Sequence, residues 1–115
     1  RASGRLSNPE VFVNGRSIDG YPDGMTVDAD GAVWAAFWDG GALRRFAPDG
    51  THDRVVRFAP RKVSSVTFAG DDYGTAYVTT ACVASREAEG AGAGSLYGVD
   101  LGVSGTPEFR SAIRC

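Results

Sequence analysis

Tyr21-Pro22-Asp23-Gly24-Met25-Thr26-Val27-Asp28 runs on through Asp30-Gly31 to the apolar segment Val33-Trp34-Ala35-Ala36-Phe37-Trp38. It reads as a tight turn, a strand, a second turn and a strand apolar on both alternating sets of positions. Pro22 fixes the approach and Gly24 permits the turn, so the Asp23 carboxylate is set just before a strand near 24–28. Working residues of a rigid β scaffold collect at such strand ends, which makes Asp23 the lead candidate for a site.

Outward from this stretch, Asp30-Gly31, Asp39-Gly40 and Asp49-Gly50 punctuate short apolar runs, a hairpin signature. Strands are expected near 10–13, 24–28, 32–38, 42–47, 54–58, 64–69, 75–80, 94–99 and 108–112. No segment of useful length carries a 3.6-residue apolar stripe, so the class is all-β.

An internal repeat orders these strands. Met25-Thr26-Val27-Asp28 answers to Val66-Thr67-Phe68-Ala69, and Val33-Trp34-Ala35-Ala36 to Ala76-Tyr77-Val78-Thr79. Gly41-Ala42-Leu43-Arg44 answers to Gly94-Ser95-Leu96-Tyr97, the spacing widened by the polar Gly/Ala-rich insertion at 82–93. A period of about 40–45 residues holding four strands is the size of a propeller blade. The expected organisation is an outer strand and connection at 1–20, a four-stranded antiparallel blade at 21–60 and a second at 61–115. Two blades and an outer strand leave apolar faces open, so self-association or a complementary chain covering them is expected.

Composition narrows the partners. The chain has 115 residues, with 12 Lys+Arg against 14 Asp+Glu and a formal net charge of -2, which gives no field for holding nucleic acid. No apolar run approaches the ~18 residues of a membrane span and no signal peptide is visible, so no membrane partner and a cytoplasmic location are expected. Arg1-Ala2-Ser3-Gly4-Arg5 reads as the middle of something longer. Cys82 follows an apolar strand and reads as a small buried residue; a Cys82–Cys115 disulfide stays open. Two Cys and one His are too few for a thiolate metal site.

Pro22-Asp23-Gly24-Met25-Thr26-Val27-Asp28-Ala29-Asp30-Gly31-Ala32-Val33-Trp34-Ala35-Ala36, then Trp38-Asp39-Gly40-Gly41-Ala42-Leu43-Arg44-Arg45-Phe46-Ala47-Pro48-Asp49-Gly50, resemble the SMP-30/gluconolactonase/luciferin-regenerating (regucalcin-like) family. Val63-Ser64-Ser65-Val66-Thr67-Phe68-Ala69-Gly70 and Tyr77-Val78-Thr79-Thr80-Ala81 continue the likeness in order, and Gly4-Arg5-Leu6-Ser7-Asn8-Pro9 resembles the hairpin before this blade. The resemblance implies about two and a half blades of a six-bladed propeller, roughly the C-terminal 40% of the family's usual domain.

It also implies a metal-dependent sugar-lactone hydrolase. One divalent ion, calcium before zinc, magnesium or manganese, is expected in the channel mouth, with Asp23 as ligand and base. An ion there polarises the lactone carbonyl, and a neighbouring carboxylate orients or deprotonates water. The family's other ligands, a Glu and Asn residues from earlier blades, lie outside this sequence, so the chain alone is expected to be inactive. A hard ion wants about six oxygens, more than Asp23 supplies.

Ser64 and Ser65, ahead of an inner strand, are candidate substrate-binding residues, although no Gly-x-Ser-x-Gly elbow makes either a nucleophile. Asp28-Ala29-Asp30-Gly31 has the opening of a calcium loop but lacks its later acidic positions, so it reads as a hairpin turn. His52 reads as solvated in a hairpin loop, Gly90-Ala91-Gly92-Ala93-Gly94-Ser95 as a flexible loop, and Arg44-Arg45 and Arg61-Lys62 as solvated edges. Trp34, Phe37, Trp38 and Tyr77 read as blade-packing aromatics. The alternative functions are a non-catalytic, NHL-like propeller for binding and a truncated remnant that associates with other chains; Asp followed by Gly-Met favours the hydrolase.

Overall fold

The computed structural model describes residues 7–107. The first regular element among the described residues is a single 3-10 turn at Gly15–Ser17, where the Asn14 side chain accepts from the Arg16 N–H. The strand expected at 10–13 is absent: this stretch pairs with no other strand, and instead lays Val13, with Ile18 beyond it, over Ala35, Phe37 and Phe46. The strand expected at 108–112 and residue Cys115 lie outside the described residues.

Among the described residues seven strands form two antiparallel sheets. The first sheet orders β1 (Tyr21–Val27), β2 (Val33–Trp38), β3 (Ala42–Phe46) and β4 (His52–Arg57) as a simple meander. The three Asp-Gly steps fall in its three connections, as hairpin chemistry requires. The Asp28–Gly31 turn closes with Gly31 N–H donating to the Asp28 carbonyl at 3.0 Å. The second sheet orders β5 (Val63–Ala69), β6 (Thr75–Thr80) and β7 (Leu96–Asp100). Its described part has three strands where four were expected. Between β6 and β7 the insertion carries a one-turn helix, α1 (Arg86–Glu89), capped by the Ser85 hydroxyl. One turn is too short to leave a periodic stripe in the sequence. The segment read as a flexible loop is a run of backbone turns, with Tyr97 OH donating to the Gly92 carbonyl.

The core is the seam between the sheets. Trp34, Ala36 and Leu43 of the first sheet pack against Val63, Val66, Phe68, Ala76 and Val78 of the second, with Leu101 closing one end. Burial of these side chains at about 25 cal/mol per Å2 is the main force holding the sheets together. β1 lies against β5, and the two run in the same direction: Gly24 meets Ser65 near their starts, while near their ends Asp28 bridges to Gly105, which packs on Phe68.

Several residues read as solvated are instead tied into the fold. Arg44 is 7% exposed. Arg45 donates from Nε to Asp28 at 2.7 Å, and its two terminal nitrogens reach Asp53 and Asp30. Lys62 bridges Asp39 at 2.7 Å and Glu89 at 2.8 Å, and sits over the Trp38 ring. Arg61 is exposed as expected. The charged heads of Arg45 and Lys62 find carboxylates while their aliphatic stems cover apolar surface, and Arg44 lies over the Phe37 ring, arrangements that reading residues one at a time does not reveal. Cys82 is exposed, not buried, because the chain leaves β6 into the insertion just before it, and it forms no disulfide among the described residues. His52 starts β4, exposed on one side and stacked on Phe46 at a centroid distance of 5.1 Å.

Candidate functional site

Asp23 does not precede its strand; it lies inside β1. Pro22 pairs with Phe37 and Met25 with Ala35, so Asp23 and Gly24 together oppose the single residue Ala36. That is a β-bulge, the device by which sheets re-aim a side chain beside a site. The same local chemistry that spells a turn, Asp followed by Gly after Pro, is absorbed here by an extra residue within the ladder. The Asp23 side chain is exposed and takes part in no hydrogen bond or ion pair among the described residues.

The second sheet repeats the irregularity. Val63 pairs with Thr80 and Ser65 with Thr79, leaving Ser64 as the extra residue. The internal repeat aligns Asp23 with Ser64 and Gly24 with Ser65, so both inner strands carry a bulge at the same rung. Ser64 Oγ lies 2.9 Å from Thr79 Oγ1, and Ser65 is exposed against Gly24. A Cβ on Gly24 would stand 2.8 Å from Ser65 Cα, too close for any real side chain. The three candidate residues, Asp23, Ser64 and Ser65, therefore gather at the starts of two adjacent, parallel inner strands.

The rim beside them is fixed by charge. Tyr21 pairs with Trp38, Asp39 follows Trp38, and Lys62 precedes Val63, so all four lie at this end of the sheets. Hydrogen bonding to Asp39 first, then to Glu89, pushes the Lys62 ammonium above its ordinary pKa. Glu89 is buried, its backbone carbonyl accepts from the Arg61 N–H at 2.8 Å, and the insertion is thereby held against this end.

At the opposite end Asp28 organises the β1–β2 turn. Its Oδ1 accepts from the backbone N–H groups of Asp30 and Ala32, and its Oδ2 from Trp34 Nε1 and Arg45 Nε. Burial opposes its charge, but the hydrogen bonds from Arg45, Trp34 and Ala32 outweigh it and hold the carboxyl below its ordinary range. With all its acceptor positions occupied, Asp28 is a structural anion and no ligand.

Among the described residues no group of three or more His, Cys, Asp or Glu converges to hold a metal ion. Asp23 fits one position of an oxygen shell, being exposed and uncommitted, and the remaining positions must come from elsewhere. No helix among the described residues is long and apolar enough to cross a membrane.

The family model described as SMP-30/Gluconolactonase/LRE-like region matches residues 1–82, which include Asp23, Ser64 and Ser65. The chain belongs to the SMP-30/gluconolactonase/LRE-like family. Within that family it is 40% identical over 119 residues to the pentonolactonase XacC of Haloferax volcanii, a match covering 97% of this chain and 41% of that protein. It is 33% identical over 112 residues to regucalcin of Danio rerio, covering 93% of this chain and 38% of that one. Among solved structures it superimposes on a calcium-binding regucalcin from Agrobacterium tumefaciens with a TM-score of 0.79 and 28% identity, covering 87% of this chain and 35% of that one. A luciferin-regenerating enzyme matches at a TM-score of 0.68 and 28% identity over 79% of the chain and 32% of that structure. The two sheets are thus β-propeller blades of the SMP-30/gluconolactonase type, and the chain spans about two fifths of the curated relatives it matches.

Proposed function

We propose that this chain supplies one wall of the active site of a metal-dependent sugar-lactone hydrolase, with Asp23 as a metal ligand and proton acceptor. The observation that carries the reading is the uncommitted Asp23 carboxylate on a bulge at the start of an inner strand, in a family whose relatives include a pentonolactonase. A divalent ion, calcium first, would polarise the lactone carbonyl. Water adds to that carbonyl carbon, the ring C–O bond breaks, and the proton lost by water passes by way of Asp23 to the departing alkoxide. Ser64 and Ser65 present hydroxyls to the sugar hydroxyls of the ring. The other ligands come from outside these residues, and the chain by itself is inactive.

The test is divalent-metal-dependent hydrolysis of a panel of aldonolactones by the longest reading frame containing this chain, native and Asp23→Asn. Turnover that disappears together with metal binding in the Asn variant supports the reading. A folded, metal-free and inert long form overturns it in favour of a binding propeller.

A further inference from the structure

The rung that carries Asp23 is built differently in the two sheets. The internal repeat aligns Ala36 with Thr79, and each opposes the bulge of its own inner strand. In the first sheet the bulged Asp23 stands opposite Ala36, whose side chain has no polar atom to hold it. In the second sheet the bulged Ser64 stands opposite a hydroxyl, and Ser64 Oγ lies 2.9 Å from Thr79 Oγ1. The other hydroxyls at this end are engaged elsewhere: Thr80 Oγ1 donates to the Ser95 carbonyl at 2.8 Å, and Ser65 is pressed against Gly24. Thr79 is exposed and Ser64 half-buried, and among the described residues neither side chain has a hydrogen-bond partner besides the other.

We propose that Thr79 is a positioning residue of the lactone site, holding the Ser64 hydroxyl toward one hydroxyl of the sugar lactone. A hydrogen bond this open adds little to stability, because water replaces it at small cost. Its effect is on direction. A lone serine hydroxyl rotates to suit any neighbour; one that shares a hydrogen with Thr79 is held, and the pair keeps a spare hydrogen and free lone pairs for a third group. A carbonyl uses only the spare hydrogen, whereas a sugar hydroxyl, donor and acceptor at once, uses the hydrogen and a lone pair together. The inference rests on the hydrolase reading and deepens it: the metal side of the site falls to the first sheet through Asp23, and recognition of the sugar to a paired hydroxyl on the second.

The test uses the longest reading frame containing this chain and steady-state kinetics on its best aldonolactone. Thr79→Val removes the hydroxyl while keeping a branched shape that suits a strand. It is expected to raise KM about three- to tenfold with kcat held within about twofold, and Thr79→Ser is expected to restore the native KM. In a Ser64→Ala background Thr79→Val should add no further penalty, because Thr79 acts through Ser64. Among deoxy analogues of the lactone, the one lacking the contacted hydroxyl should be indifferent to Thr79→Val. An unchanged KM in Thr79→Val, penalties that add in the double variant, or a penalty that persists for every deoxy analogue overturns this inference and leaves the hydrolase reading standing. A native long form that turns over no lactone overturns that reading and this inference with it.

Discussion

Gly24 and Ser65 meet across two blades with no room between them for a side chain. The contact sits one residue from Asp23. The bulge in β1 and the approach of β5 therefore depend on one another: Gly24 is small so that the neighbouring inner strand can reach the Asp23 rung.

Gly24→Ala is expected to push β1 and β5 apart and destabilise the protein by about 1–3 kcal/mol. Ser65→Gly in the same chain should recover part of that loss, since it empties the space the new methyl group needs. Urea unfolding of the two single variants and the double variant measures the coupling.

Asp23→Asn should leave stability within about 0.5 kcal/mol, because the side chain is exposed and uncommitted. In the long form the proposed role of Asp23 as proton acceptor predicts that the same change cuts kcat about 100-fold or more. Chelation should abolish turnover in the native protein, and added calcium should restore it. A large fall in Tm for Asp23→Asn would assign the residue to the scaffold.

Asp28→Ala removes the only carboxylate that is fully buried beside Arg45, and should cost about 3–5 kcal/mol. Asp30→Ala, at an exposed carboxylate on the same guanidinium, should cost under about 1 kcal/mol. Asp28 also sets an acid limit. Its folded pKa lies below the ordinary 3.8, so its contribution is fully present above that value and is lost as pH falls through the folded value. Native protein should therefore lose stability below about pH 3.8, and Asp28→Asn should flatten that part of the profile when Tm is followed against pH.

Glu89→Gln is expected to loosen the insertion without unfolding the sheets. The amides of Arg61 and Gly90, which donate to the Glu89 and Arg86 carbonyls, should exchange with solvent about tenfold faster, while those of β2 and β3 keep their rates. Native-state hydrogen exchange by mass spectrometry checks both halves of this expectation.

The strands of both sheets were legible because Asp-Gly steps and apolar runs are local signals, and the described strands fall within a few residues of those expected. Asp23 was read on a turn before its strand and lies on a bulge within it. Pro-Asp-Gly favours a turn and a bulge alike, and only the pairing of Pro22 with Phe37 distinguishes them. Val11-Phe12-Val13 looked like a strand because its apolar content is right; what it lacks is a partner ladder, which composition does not encode. The burial of Arg44, Arg45 and Lys62 was missed because their surroundings lie far along the chain: Arg45 finds Asp28, and Lys62 finds Asp39 and Glu89. Cys82 was misjudged because an apolar strand predicts burial only until the chain turns away from the sheet.

Asp23 and Ser64 occupy one geometric address in two consecutive copies of the same unit. A duplicated blade inherits the kink along with the strand, and so inherits a bulged side-chain position before any chemistry has been chosen for it. A single codon at that rung then determines whether a copy offers a carboxylate or a hydroxyl. A ring built this way can vary the reagents around its axis without altering the scaffold that presents them.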